Sequence, residues 1–512
     1  MPDGAKVLLL QPPSPRINFT LPLGLGYLAA VFKAKGMAVE IVDATAPYSH
    51  YNIQETIREV VRRQPKFVGI NVNTLFCGFA YDLLKELKRL GIFVFAGGPH
   101  ASLFSEEVLE AGADIAVRGE GEATIAELAE YFLGQRQLND ILGISFRCAD
   151  GRMAVNAGRP LLEDLDAIPF PAKEAFDIRA FARNDFELWR FGGVLTSRGC
   201  IGRCSFCCRE IFANRYRTRS VGSVIEEIKF LKEHYGLKSF YFLDDIFTAG
   251  RKRTLVLCES LRRELWPNFE FSCITRFDRV DKELLSEMKK AGCRAINFGV
   301  ESANPSTLLK LNKTETIEEM EEKIFLTNEL GIDCSINFMW GYPWEGKGEL
   351  ENTVSLMKRL SSRVSEIMPG GILVPFPGTE LYAQQKARYN LEGWWQRRES
   401  FTADYRLNCN VVLFRHYLFD DQGQLTGGGF FGIGRDLLRI IHSATWFIGW
   451  HNLRKRHSLL VSAAIFLICA ISYYLYMLNR SAGRWFSRVV FGLISFKNRL
   501  GHKKILKCIR RY

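Results

Sequence analysis

The sequence predicts an α/β protein with an N-terminal doubly wound parallel sheet, a partial (βα)6 barrel of the TIM type, and a C-terminal helical, membrane-associated tail. Short β-rich runs alternate with helical patterns over the first 135 residues, and six more strand–helix units follow from residue 192. An uncharged apolar segment lies in the basic C-terminal region. The predicted boundaries are 1–140 for the sheet domain, 141–190 for a linker, 191–390 for the barrel and 391–512 for the tail.

The first domain alternates strands with helices whose apolar residues recur at helical spacing. Its strand candidates are 6–11, 38–44, 67–73, 92–98 and 114–120. In an open α/β sheet, ligands bind at the carboxyl ends of the strands, where the loops read NVNTLF, GGPHAS and RGEGEAT. No GxGxxG follows the first strand, so the pattern does not favour a nicotinamide cofactor.

The second domain contributes six strand candidates, each followed by a helical pattern. They are 192–198, 239–245, 270–276, 295–301, 333–341 and 366–376. Barrels of this kind carry their chemistry at the carboxyl ends of the strands. The stretch TSRGCIGRCSFCCRE, residues 196–210, begins as the first of these strands ends, which is a catalytic position.

The charge of the chain is distributed unevenly. It has 68 Lys and Arg against 56 Asp and Glu, a formal net charge of +12 at pH 7. Residues 437–512 hold fourteen of the basic side chains and no acidic one, so the remainder, with 54 basic and 56 acidic side chains, is nearly neutral. A basic tail beside an apolar segment favours anionic lipid headgroups over nucleic acid as a partner.

The apolar segment is SLLVSAAIFLICAISYYLYML, residues 458–478, which has no charged side chain. As a helix it measures roughly 31 Å, about one hydrocarbon thickness. A single span would place ten basic residues opposite the body, against the positive-inside tendency. A monotopic helix, a re-entrant pair with residues 483–500 and a buried core helix therefore stay open as alternatives.

The compartment follows from the N-terminus and the cysteines. MPDGAKVLLLQPP lacks the pattern of a secretory signal, and 13 cysteines in a chain of this length are expected to be reduced thiols. We therefore expect cytoplasmic catalytic domains, attached to the membrane through the tail.

Four cysteines lie within nine positions of the quoted stretch. Cys200, Cys204 and Cys207 are spaced CxxxCxxC, so one loop can wrap three thiolates around an iron–sulfur cluster or a zinc ion. Structural zinc needs a fourth ligand, and Cys208, the nearby candidate, is expected to point away from Cys207. Incidental buried thiols are the third alternative, and the other nine cysteines are expected in the core.

These motifs resemble those of the radical S-adenosylmethionine (SAM) enzymes, in which CxxxCxxC with an aromatic residue before the last cysteine, here Phe206, follows the first barrel strand. A preceding domain with GGPHAS and VRGEGEAT, followed by TSRGC, looks like the cobalamin-binding branch, over about residues 5 to 390. The resemblance implies a [4Fe–4S] cluster on Cys200, Cys204 and Cys207 whose open iron binds SAM, with cobalamin as a further cofactor. Reductive cleavage of SAM also implies a low-potential electron donor of the flavodoxin or ferredoxin type.

The resemblance implies further SAM contacts from Phe206, Asp244, Asp245, Arg276, Glu301 and Ser302. Asp244 and Asp245 would contact the amino group or ribose, and Arg276 the methionine carboxylate. Glu301 and Ser302 would contact the ribose or the amino-acid part. Because adjacent side chains point apart, we expect one of the two aspartates to be structural.

Cobalamin is expected at the strand ends of the first domain, beside Asn73, Thr74, Gly97, Gly98, Pro99, His100 and Glu120. The glycines let the backbone approach a flat macrocycle. The chain lacks the DxHxxG motif that supplies a histidine to cobalt in many cobalamin proteins. We therefore interpret His100 as a polar loop residue with no metal role.

The implied reaction is cobalamin-dependent methylation of an unactivated carbon by way of methylcobalamin and a 5′-deoxyadenosyl radical. The membrane-seeking tail suggests an apolar or lipid-like substrate. One alternative is a cyclase or oxidoreductase without net methyl transfer, similar to the anaerobic tetrapyrrole cyclase. The other is a membrane-tethered scaffold with a structural metal site. The sequence identifies no catalytic acid or base.

Overall fold

The computed structural model describes residues 6–14, 20–46, 49, 51–177, 192–368, 373–396 and 435–456, together with six residues between 458 and 467. Two largely parallel sheets, each covered by helices, form its two halves. The predicted α/β class is therefore confirmed.

The first sheet has seven strands in the order β2-β1-β3-β4-β5-β6-β7. The strands are β1 Val7–Gln11, β2 Val39–Asp43, β3 Phe67–Asn71, β4 Phe93–Gly97, β5 Ile115–Val117, β6 Ile144–Arg147 and β7 Met153–Val155. The helices of this half are α1 Leu23–Ala34, α2 Ile53–Arg63, α3 Cys77–Arg89, α4 Pro99–Leu103, α5 Ser105–Glu110 and α6 Glu122–Phe132. Strands β1 to β5 run parallel. Residues 7–10 of β1 are fully buried because both faces of the sheet are covered, as an apolar run in a parallel sheet predicts.

Strands β6 and β7 extend the first sheet in the antiparallel direction. They lie within residues 141–190, which the sequence predicts to be a linker. Each strand has only three or four residues, too few to show a periodic pattern. The domain boundaries themselves stay predictions.

The second sheet has six parallel strands in the order β15-β14-β13-β12-β11-β8. They are β8 Gly193–Val194, β11 Ser239–Phe242, β12 Glu270–Thr275, β13 Cys293–Glu301, β14 Asp333–Phe338 and β15 Glu366–Met368. The helices after them are α7 Val221–Tyr235, α8 Arg251–Leu265, α9 Lys282–Lys290, α10 Pro305–Lys310, α11 Ile317–Glu329, α12 Lys347–Leu360 and α13 Glu380–Gln385. Strand number and sequence order agree with a partial (βα)6 barrel that is open between β8 and β15.

A short two-stranded ribbon stands between the sheets. Its strands are β9, Ser197–Arg198, and β10, Arg217–Thr218, which pair antiparallel so that Arg198 lies directly opposite Arg217. The ribbon carries the chain from the end of β8 into the cysteine stretch.

A C-terminal helix, α14 Arg435–Arg456, covers the open edge of the second sheet at β15. The side-chain amide of Asn452 accepts a hydrogen bond from the Ile367 N–H (3.0 Å) and donates one to the Ile367 carbonyl (2.8 Å). Both groups are buried, so the amide replaces the strand that would otherwise continue the sheet.

The predicted apolar segment 458–478 lies mostly outside the described residues. Among the residues that are described, we find no helix with the length and hydropathy needed to cross a bilayer.

Candidate functional site

The cysteine loop, residues 200–208, leaves the ribbon through Gly199. This glycine has φ +81°, and a β-carbon built on it would lie 2.0 Å from the carbonyl oxygen of Arg215. Only glycine fits here, because both the backbone conformation and the close approach exclude a side chain. The loop therefore begins at a fixed point on the ribbon.

The loop brings the thiols of Cys200, Cys204 and Cys207 together. The N–H of Gly202 donates to Cys200 Sγ at 3.3 Å, and a side-chain carbon on Gly202 would also lie 3.9 Å from Cys204 Sγ. The Cys207 N–H donates to the Cys204 carbonyl at 3.1 Å, a turn that lets the two thiols hydrogen-bond. The three thiols are neighbours, but among the described residues no group of three or more Cys, His, Asp or Glu side chains has the spacing of a formed metal site.

Cys208 faces away from this group. A β-carbon on Gly378 would lie 3.0 Å from Cys208 Sγ and 2.9 Å from Glu210 Oε2. The Cys208 thiol thus packs against the loop after β15. That it is no cluster ligand stays a prediction.

Positive charge surrounds Cys204. Arg276 Nη1 lies 3.4 Å from Cys204 Sγ, and the ammonium group of Lys313 is near enough to favour the thiolate. The hydrogen bond from Cys207, followed by these two cations, lowers the pKa of Cys204 to about 6, whereas the same hydrogen bond raises the pKa of Cys207. Thiolate is the form that binds metal, so the loop is prepared for a thiolate-ligated centre.

Arg276 is itself held by two carboxylates. Its Nε donates to Asp278 Oδ1 at 2.8 Å, and its Nη2 lies 3.2 Å from Glu315 Oε1. Burial alone would lower the pKa of the guanidinium, but Asp278 and Glu315 outweigh it and raise the pKa. The predicted SAM-contacting arginine therefore stands at the cysteine loop, fixed by its neighbours.

Asp244 and Asp245 point in different directions at the end of β11. Asp244 is buried and accepts hydrogen bonds from Thr196 N (2.7 Å), Thr196 Oγ1 (2.5 Å) and Ser197 N (2.9 Å). Burial raises its pKa to about 6, against the lowering effect of these donors. Asp245 instead lines a cavity between the two sheets, and burial raises its pKa.

The end of β13 places Glu301 and Ser302 differently. Glu301 has φ +70°, lies at a bulge between β13 and β14, and has its Oε1 3.4 Å from Lys313 Nζ. Ser302 is fully buried and donates to Glu345 Oε1 at 2.8 Å. Glu301 therefore sits beside the cation near Cys204, while Ser302 belongs to a packed network behind it. Phe206 is half-buried among core side chains.

A cavity of about 430 Å³ lies between the carboxyl ends of the strands of the first sheet and the segments that follow β8 and β11 of the second. Its walls are largely apolar, with Leu25, Leu28, Phe95 and Ile125 on one side and Leu195 and Leu243 on the other. Ser197, Arg198 and Gly199, which lead into the cysteine loop, close it from the second domain. This cavity thus joins both halves, and its lining reaches Gly199, the residue before the predicted cluster ligand Cys200.

Four of the seven residues predicted to bind cobalamin line this cavity: Gly97, Gly98, Pro99 and Glu120. Gly98 has φ +99°, and a β-carbon there would lie 2.2 Å from Asn71 Oδ1, so the backbone crosses β3 at minimal distance. Asn73 and Thr74 lie nearby at the start of a short 3-10 turn, where the Asn73 side chain caps Leu75 N.

His100 is not the polar loop residue that the sequence analysis expected. Its ring is fully buried in α4, where Nε2 lies 2.6 Å from the Tyr81 hydroxyl and Nδ1 lies 3.2 Å from Thr74 Oγ1. The ring also packs against Trp395. Because both ring nitrogens have protein partners, His100 supports the GGPHAS turn from behind and is not a wall of the cavity.

Comparison with known proteins agrees with this geometry. The family model of the radical SAM superfamily matches residues 194–357, and that of the B12 binding domain matches residues 18–129. An uncharacterized methyltransferase of Pyrococcus horikoshii is 31% identical over 388 residues, which cover 74% of this chain and 82% of the relative. The chain belongs to the cobalamin-binding radical SAM enzymes. The expected family resemblance is therefore confirmed.

Other members of this family carry out different reactions. The hopanoid C-3 methylase of Methylococcus capsulatus is 26% identical over 75% of this chain and 70% of the relative. The anaerobic magnesium-protoporphyrin IX monomethyl ester cyclase of Cereibacter sphaeroides is 30% identical over 65% and 55%. Among solved structures, the radical SAM methyltransferase TsrM of Kitasatospora setae matches with a TM-score of 0.62 at 20% identity, covering 86% of this chain and 91% of that one. At this identity the likeness shows the fold alone.

Family membership assigns a [4Fe–4S] cluster, SAM and cobalamin as the cofactors of this radical SAM enzyme. The residues present fit them, because one loop presents three thiols beside two cations and an apolar cavity lies at the strand ends of the B12-binding domain. The zinc and scaffold alternatives no longer apply.

Several polar residues near the site of this radical SAM enzyme are not among the predicted site residues. Arg198, Glu122 and Arg217 surround Glu120 at the rim of the cavity, and Lys313 and Glu315 lie beside Arg276 and Glu301. Arg198 lies inside the TSRGC motif. Its charge, so close to the cysteine loop, indicates a buried ion pair. Arg217 lies in no recognisable motif, so the sequence gives no sign that it pairs with Glu120.

Proposed function

We propose that this enzyme methylates an unactivated carbon of an apolar, lipid-like substrate. When bound, cobalamin and SAM together supply a methyl group and a radical that takes a hydrogen atom from carbon. A cavity that joins the B12-binding strand ends to the stem of the cysteine loop carries the proposal, because methyl transfer needs both cofactors at one place. Relatives named as methyltransferases, one of which is named for a hopanoid, support the reaction type and the substrate class.

The chain's own residues would prepare this reaction. Asp244 fixes the Thr196–Ser197 segment that leads to the cysteine loop, and we assign it a structural role. We propose Asp245, Arg276 and Glu301 as direct SAM contacts, since they stand at the cavity or beside the thiols. Ser302 would act indirectly, by holding Glu345 and the loop after β13.

A cyclase or oxidoreductase reaction without net methyl transfer is the second candidate, favoured by the relatives named as cyclases. The reaction products separate the two. In the assay, the anaerobically reconstituted enzyme receives SAM with a deuterated methyl group, a low-potential reductant and a lipid extract. We expect it to form S-adenosylhomocysteine and 5′-deoxyadenosine together and to transfer the deuterated methyl group to a lipid. Formation of 5′-deoxyadenosine and an unlabelled oxidised product would refute methylation and support the second candidate.

We also propose that the basic tail holds the enzyme at an anionic membrane surface on the cytoplasmic side. The uneven charge of the chain and the uncharged segment 458–478 support this. A low-potential electron donor of the flavodoxin or ferredoxin type would reduce the cluster.

A further inference from the structure

Two arginines stand side by side on the ribbon. Arg198 of β9 and Arg217 of β10 are direct cross-strand neighbours, and like charges in such a pair repel. Their side chains are 11% and 5% exposed, so water does not screen the repulsion. The ribbon therefore needs negative charge from another part of the chain.

The loop between β5 and α6 in the B12-binding domain supplies that charge. Glu120 accepts two hydrogen bonds from Arg217, with Nη1–Oε2 at 2.7 Å and Nη2–Oε1 at 2.9 Å, and one from Arg198 Nη1 at 2.9 Å. Arg198 Nη2 also donates to Glu122 Oε1 at 2.5 Å. Glu122 is the first residue of α6, where the positive end of the helix favours a carboxylate. We call these four residues the clasp.

The clasp also gathers two further segments of the chain. Arg217 donates to the carbonyl of Leu162, and the N–H of Leu162 donates to Glu120 Oε2 at 3.0 Å, which pins the connecting segment. The guanidinium of Arg198 lies over the ring of Tyr27 in α1, 5.4 Å from its centroid. Four stretches that are distant in sequence thus meet at one buried ionic group.

The clasp has a defined position relative to the cofactor sites. Glu120, Glu122 and Arg198 line the cavity, and Arg198 precedes Cys200 by only two residues. Gly199 between them is fixed by its close contact with Arg215. A movement of the clasp would therefore change the distance between the cavity and the cysteine loop.

We propose that the clasp is a positioning device that sets the distance and orientation between the corrin site and the iron–sulfur cluster. Glu120 acts through Arg198 and Arg217, not as a cobalamin ligand, since both of its carboxylate oxygens are occupied by protein donors. Buried ion pairs add little net stability compared with apolar packing, so we infer that the clasp serves to fix one arrangement of the segments that it joins. The proposal rests on the cofactors of the family and needs no particular substrate.

The test measures the separation of the two cofactors directly. The enzyme is loaded anaerobically with cluster and cobalamin, reduced so that both cob(II)alamin and the cluster are paramagnetic, and the distance distribution between them is measured by pulsed electron paramagnetic resonance. The variants are E120Q, which keeps the shape but removes the charge, and R217K, which keeps the charge but loses the two parallel hydrogen bonds. R215Q is the control, because Arg215 makes a similar bidentate pair with Glu163 that is 53% and 67% exposed.

We expect E120Q and R217K to retain both cofactors but to show a broadened or shifted distance distribution, and R215Q to match the unmodified enzyme. If the proposed methylation holds, 5′-deoxyadenosine formed per methylated product should also rise several-fold in the first two variants. Unchanged distances in the loaded variants would overturn the proposal. Loss of cobalamin from both variants would overturn it too, because Glu120 and Arg217 would then serve in binding. If E120Q does not accumulate, R217K alone decides between these outcomes.

Discussion

At the scale of single residues, the four neighbouring thiols differ in what surrounds them. Cys200 and Cys204 share the space around Gly202, and Cys207 hydrogen-bonds with Cys204. Cys208 packs against Gly378. Their roles should therefore separate on mutation.

We predict that C204A and C207A lose the cluster, whereas C208A retains it. The first two remove a thiolate from the group around the metal, and the third removes only a packing contact. Iron and sulfide analysis with the visible spectrum after anaerobic reconstitution will check this. A cluster that survives without Cys207 but not without Cys208 would contradict the ligand assignment.

A second residue-scale feature is the buried carboxylate of Asp43 at the end of β2. Its Oδ1 accepts hydrogen bonds from Thr45 N (2.8 Å) and Thr45 Oγ1 (2.6 Å), but Oδ2 is buried without a hydrogen-bond partner. Burial, only partly offset by hydrogen bonds from Thr45 and from the backbone N–H of Ala46, raises the pKa of Asp43 to about 6. The folded protein thus binds a proton that the unfolded chain releases near pH 4, so stability falls as the pH rises from about 4 through about 6.

We predict that D43N is more stable than the unmodified protein by about 1 to 3 kcal/mol at pH 8, because it removes the buried charge. The gain should shrink as the pH falls through about 6 and vanish near pH 4. Urea unfolding at several pH values will measure it, with D333N on the exposed start of β14 as the control. A gain that does not depend on pH would show that the charge of Asp43 is not its cause.

At the scale of elements, α14 replaces a missing strand at the edge of the second sheet. A single side-chain amide, Asn452, satisfies both the N–H and the carbonyl of Ile367. Without it, two buried backbone groups would lose their partners.

We predict that N452A lowers the free energy of unfolding by about 1 to 3 kcal/mol, the cost of buried polar groups left without hydrogen bonds. Hydrogen exchange at the Ile367 amide should accelerate, and K455A, on an exposed position of the same helix, should change neither quantity. Equal exchange at Ile367 in N452A would mean that the helix does not protect the edge.

Elements also show what the sequence could and could not predict. The long strands were predicted because their apolar runs are bounded by turn residues, but the candidate 192–198 is divided into β8 and β9. It divides because the N–H groups of Thr196 and Ser197 bond to Asp244 instead of to a neighbouring strand. The grouping of the Cys200, Cys204 and Cys207 thiols in one loop was predictable because their spacing is local. The pairing of Glu120 with Arg217 was not, because it joins residues 97 positions apart.

At the scale of the whole molecule, the excess of basic residues and the uncharged apolar segment 458–478 both lie near the C-terminus. Residues 437–512 account for the net positive charge, while α14 at their start packs on the second sheet. A chain that ends after Arg456 keeps this helix and removes the rest of the tail, so it tests the proposed membrane binding without removing a packed element.

We predict that the full chain sediments with vesicles that contain phosphatidylserine, less so at high salt, because exposed basic groups are screened. The chain truncated after Arg456 should remain in the supernatant while it still binds cluster and cobalamin. Vesicles of neutral phosphatidylcholine give the control. Equal sedimentation of both chains with anionic vesicles would locate the lipid-binding surface elsewhere.

The cavity that both domains enclose has a consequence for how the enzyme holds its corrin. Neither half alone presents more than one side of the space, because residues of the first sheet form one wall and Leu195, Arg198 and Leu243 form the other. The full set of corrin contacts therefore exists only where the two halves are held together. Occupancy by cobalamin should accordingly fall at the urea concentration that separates the halves, even if each half stays folded.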